Sequence, residues 1–148
     1  MEVIDNFYKK STYCCECIEN LEPDDFANIK NLMQALAEVY SAALQLPDIE
    51  PDDDHGSDFD IRLEIKSFGE REGYWQVFNP FAETVDAEIV YGSLCDDLSD
   101  IYHDLMVGNL QYEKGLIYNA GWVWKLYFSH WGRHLVDVLK ALHVLISE

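Results

Sequence analysis

The C-terminal part of this chain constrains its fold more than any other stretch. Ile117, Gly121, Trp124, Phe128, Trp131, Leu135, Leu139, Leu142 and Ile146 recur in alternating steps of four and three. That spacing lines them along one face of a helix and predicts a single helix from about Ile117 to Ile146. Three of the four tryptophans lie within it, and its net charge is small. A long helix with so broad an apolar face needs other helices laid against it. The chain therefore reads as an all-α bundle of about five helices, with the long C-terminal helix at the centre, in one domain over residues 1–148.

The remaining helices are sought on the same principle. Ile4, Phe7, Ser11, Cys14, Ile18 and Leu21 predict a first helix over roughly 3–20. After Asn20, Pro23 suits the first turn of a second helix, with Asp24 and Asp25 at its positive dipole end. Phe26, Ile29, Met33, Leu36, Tyr40 and Ala43 carry that helix to about Leu46, and Pro47 stops it. Phe59, Ile61, Leu63 and Ile65, too densely apolar for a clean helical period, are read as a shorter helix over 58–68. Residues 69–92 are irregular, pinned by Tyr74, Trp75, Phe78 and Phe81, with a weak hairpin signal. Ser93 then caps a helix from Leu94 to about Lys114, with Asp96 and Asp97 in its first turn and Gly115 at its end. Gly108, Gly121 and Gly132 fall near apolar stripes, which points to close backbone approach or room for an aromatic neighbour.

Charge narrows the partners. The net charge of −18 is uneven: residues 1–60 carry −12, residues 61–105 carry −7, and residues 106–148 carry +1. Nucleic acid and anionic membrane surfaces repel such a chain, so neither is a partner. Its uncharged runs are too short to span a bilayer, and acids stand near the N-terminus where a signal peptide needs bases, which reads as cytoplasmic. Cys14 and Cys17 form a CxxC, but with Cys15 and Cys95 they leave a zinc site one ligand pair short. The motif also falls in mid-helix, away from the N-terminus that activates redox thiols. These cysteines read as small core residues. The acidic run "PDIEPDDDHGSD" (47–58) fails as a calcium loop: with Gly56 at position six, Pro51, His55 and Arg62 occupy ligand positions.

Chemistry concentrates on two helices. In "SLCDDLSDIYHDL" (93–105), a wheel at about 100° per residue places Asp97 and Asp104 beside the apolar stripe and Asp100 and His103 farther toward water. Asp100-x-x-His103 imitates the Glu-x-x-His of carboxylate-bridged metal bundles, but it points off the core and is a poor buried site. On the last helix, His130 and His134 stand four apart, half of a zinc site without the glutamate of HExxH. A metal there needs ligands from another helix, with Asp97 or Asp104 the suppliers; otherwise a carboxylate simply satisfies each histidine. No phosphate loop, G-x-S-x-G or cysteine with a base partner appears, so nucleophilic catalysis has no support and no cofactor is called for.

These two stretches also resemble the bacterial domain-of-unknown-function family 5063. The resemblance is carried by Asp97, Leu98, Asp100, Ile101, Tyr102, Asp104 and Leu105, similar to its D-L-x-D-I-Y-x-D-L signature. It continues through Trp124, Phe128, Trp131-Gly132, Leu135, Leu139 and Leu142-His143. The family implies a mostly helical domain and brings no established activity. The leading functional expectation is a small acidic interaction domain that meets a basic or neutral protein partner, rather than an enzyme; a self-associating structural domain is a third option. The alternative is metal or small-molecule binding through Asp97, Asp104, His130 and His134, in a pocket with Tyr102, Trp131 and Arg133.

Overall fold

The computed structural model describes residues 1–52, 58–77, 79–84 and 89–148. Helix α1 (Glu2–Glu19) buries Ile4, Phe7, Ser11, Cys14, Cys15 and Ile18 along one face. Helix α2 (Phe26–Ala43) starts where the Asp25 carboxylate accepts hydrogen bonds from the amides of Ala27 and Asn28. Pro23 and Asp24 consequently lie in the turn before the helix and not within it.

No helix forms over 58–68. Phe59, Ile61, Leu63 and Ile65 are half-buried, while Asp58, Asp60, Arg62, Glu64 and Lys66 are exposed. The segment is extended, and its apolar residues have a period of two that packs one side onto the bundle. A turn at Gly69–Arg71 leads into strand β1 (Gly73–Val77), which pairs antiparallel with β2 (Ile89–Ser93). The hairpin signal in the irregular segment was therefore real; Phe78 and the acidic stretch 53–57 lie outside the described residues.

Strand β2 runs straight into α3 (Leu94–Glu113), and Ser93 caps the helix by accepting from the Asp96 amide. Glu72 reinforces this start. Its carboxylate accepts from the Ser93 hydroxyl and from the amide and thiol of Cys95, at 2.6, 2.6 and 2.9 Å. Burial pushes the Glu72 carboxyl up, but these bonds, with one from the Phe68 amide, outweigh it and hold it below its usual range. Gly115, at φ +84°, ends the helix in the left-handed region that favours glycine.

The expected long C-terminal helix is two, α4 (Ile117–Leu126) and α5 (Phe128–Ser147). At the break, the Trp131 indole N–H donates to the Trp124 carbonyl at 3.0 Å, and a side chain takes over a position in the backbone ladder. The Trp124 indole in turn donates to the Leu105 carbonyl and fills the space opposite Gly108, where a side chain would collide with it.

The helices close into a ring, with α1 against α2, α2 against α5, α5 against α3 and α3 against α1; α4 lies on α3. Phe7, Trp124 and Trp131 meet in the core. A buried hydrogen bond of 2.7 Å from Ser11 to Asn109 ties α1 to α3. Cys14 and Cys15 are buried free thiols, and burial raises both pKa values. Among the described residues, no helix is long and apolar enough to cross a membrane.

Candidate functional site

The seam between α3 and α5 carries the densest chemistry. Asp97, Asp100 and Asp104 fall at i, i+3 and i+7 on α3, and His130 and His134 at i and i+4 on α5. Such spacings put each set on one helix face. The helices run in opposite directions, so Asp97 meets His134 and Asp104 meets His130.

Both contacts use the same ring atom. His134 Nδ1 lies 2.7 Å from Asp97 Oδ1, and His130 Nδ1 lies 2.6 Å from Asp104 Oδ2. An ionised carboxylate can only accept, so each Nδ1 carries a proton, and in the neutral ring Nε2 is then the lone-pair side. Those two Nε2 atoms stand 3.2 Å apart. Asp100 Oδ2 lies 3.4 Å from His134 Nε2, and one ligand atom from each of Asp100, His130 and His134 falls within 4.8 Å of the others.

Asp97 is the best-supported member. It is buried, and besides His134 it accepts from the Tyr74 hydroxyl and, at 2.6 Å, from the Gln76 amide on β1. Burial and the bond to Asp97 both raise the Tyr74 pKa, so Tyr74 stays a donor. The hydrogen bond to Asp97 raises the His134 pKa, against burial, which lowers it. Asp104 is also buried, but among the described residues its other oxygen meets only the exposed His103, at 3.6 Å.

The family model described as "Domain of unknown function (DUF5063)" matches residues 1–148. The chain belongs to this family. No curated protein and no solved structure matches it.

For this DUF5063 member, the residues chosen from sequence divide into two groups. Asp97, Asp104, His130 and His134 come together on one seam. The two aspartates, however, meet the Nδ1 side of the rings, so the carboxylate that shares the Nε2 side is Asp100. Tyr102 and Trp131 lie elsewhere: Tyr102 donates to Glu19 on α1 at 2.6 Å, and Trp131 is fully buried in the core. Arg133 lines a cavity beside the hairpin. Sequence reasoning set Asp100 aside and assigned neither Tyr74 nor Gln76 to this site. The first was legible in its spacing from Asp97 and Asp104; the other two depend on how the hairpin docks.

Proposed function

We propose that this protein binds a divalent transition-metal ion between His130, His134 and Asp100. The observation that carries the reading is the 3.2 Å approach of two Nε2 atoms whose Nδ1 atoms are both committed to buried aspartates. Two bare lone pairs at that distance repel unless a cation, a proton or a metal ion, lies between them. Two imidazoles on one tetrahedral zinc, at about 2.0–2.1 Å each, place their nitrogens about 3.3 Å apart. Carboxylate–histidine pairs behind the ring are also what metal sites use to fix tautomer and raise ligand basicity. Asp100, half-buried beside His134, would supply a third ligand.

Titrating tag-free, chelator-treated protein with zinc and cobalt(II) tests this. One ion per chain is expected, with visible cobalt bands from nitrogen and oxygen ligation. His130→Ala and His134→Ala should abolish binding, and Asp104→Asn should weaken it by about 10–100-fold through the ring it orients. Substoichiometric uptake, or affinity indifferent to both histidines, sinks the reading.

A protein partner is a second reading, favoured by the exposed Trp75 and Tyr91 paired across the hairpin. The free state of Cys14, Cys15, Cys17 and Cys95 supports a reducing compartment such as the cytoplasm.

A further inference from the structure

A cavity of about 570 Å³ lies between the hairpin and α5, a size suited to a ligand. Its two walls are of different kinds. Every residue of β1, from Gly73 to Val77, borders it. Side chains alternate faces along a strand, so a cavity touching five consecutive residues runs along the strand's edge. The alternation is visible here: Tyr74 and Gln76 turn inward to Asp97, while Trp75 and Val77 are exposed. β1 pairs with β2 on its other side, and among the described residues it has no second strand partner. The edge facing the cavity therefore presents main-chain N–H and C=O groups without a ladder.

The opposite wall is one stripe of α5 from Arg133 to Glu148. That stripe is about 22 Å long at 1.5 Å per residue, and β1 spans about 17 Å, so the space is a groove and not a round pocket. Val136, Ala141, Val144 and Leu145 make it apolar. Arg71 and Glu148 form an ion pair at one end. The other charges along the groove are Arg133, Lys140 and Asp137, a local excess of positive charge on a chain of net −18.

We propose that this groove takes an extended peptide from another protein, which adds to β1 as a third strand. Its alternate apolar side chains would rest on α5, and one carboxylate would face Arg133 and Lys140. An unpaired strand edge beside an apolar helix satisfies both needs of such a ligand: main-chain bonds give affinity, and the helix wall selects side chains. The groove borders the histidine seam through Tyr74 and Gln76, which donate to Asp97, but the peptide site needs no metal there.

The test pans phage-displayed random octapeptides on the full-length chain and measures the enriched sequence as a labelled synthetic peptide. Enrichment of alternating apolar residues with one acidic group is expected. Methylating peptide backbone nitrogens one at a time should abolish binding at alternate positions only, as strand pairing requires. Val136 and Val144 are about half exposed, so Val136→Lys and Val144→Lys should fold normally and weaken the peptide by about tenfold or more. Lys140→Glu should remove the preference for the acidic group. The proposal is overturned if no such peptide is enriched, if binding ignores both valines, or if methylation has no alternating pattern. It is equally wrong if 8-anilinonaphthalene-1-sulfonate binds in a Val144-dependent way while peptides do not, because the groove is then a small-molecule pocket.

Discussion

Asp97 holds His134 and Asp104 holds His130 at nearly equal distances, 2.7 and 2.6 Å, in very different surroundings. The Asp97 pair is enclosed: the His134 side chain is 14% exposed and Asp97 6%. The Asp97 carboxylate also collects Tyr74 and Gln76, which join the hairpin to the seam. In the Asp104 pair, His130 is 45% exposed, and among the described residues no hairpin side chain hydrogen-bonds the carboxylate. The same bond thus serves as a fixed post at one end of the seam and as an adjustable arm at the other. The proposed metal site would therefore have one rigid ligand, His134, and one more exposed ligand, His130.

Removing each aspartate is the strongest way to break this comparison. Asp97→Ala strands Tyr74, Gln76 and His134 in partly buried positions, and losing one member of such a set costs about 3 kcal/mol. Urea unfolding should register that loss, and amide exchange should speed up through Gly73–Val77. Asp104→Ala leaves His130 free to turn to water, and about 1 kcal/mol is expected. If the two variants lose stability within about 0.5 kcal/mol of each other, burial does not separate the pairs and the fixed-post reading fails.

How much of this was legible in the sequence depends on the kind of signal. α3 was read to within a residue because its cap, first-turn acids and glycine stop are local chemistry, carried by Ser93, Asp96, Asp97 and Gly115. The break at Tyr127 was not, because an unbroken apolar period says nothing about a Trp131 indole claiming the Trp124 carbonyl. Residues 58–68 were misread although their signal was clean. Phe59, Ile61, Leu63 and Ile65 alternate strictly, and four apolar residues in seven were taken for density instead of for a period of two. Asp100 was set aside because it points off the core. The core was the wrong reference, since the histidine Nε2 atoms meet on the outer edge of the α3–α5 seam. Tyr74 was read only as an aromatic pinning the segment and Gln76 not at all, because their role follows from a hairpin docking over Asp97.

The smallest expected effect sharpens the contrast between the two ends. Glu72 ties the end of α3 nearest Asp97 to the turn before β1, through Ser93, Cys95 and Phe68. Its carboxyl titrates below its usual value in the folded chain, whereas in the unfolded chain it lies near about 4.3. A depressed folded value means that its stabilisation is complete above about pH 4.3 and is lost as the pH falls through the lower, folded value. Glu72→Gln keeps one acceptor oxygen and removes the charge, so about 1 kcal/mol or less should go at neutral pH. The variant should also flatten the acid limb of the stability curve. In mild acid, exchange should rise first at Gly73–Val77 and the start of α3, while the α3 turn around Asp104 stays protected. Equal protection at both turns, or an acid limb identical in Glu72→Gln, would show that this tie does not distinguish the hairpin end from the open one.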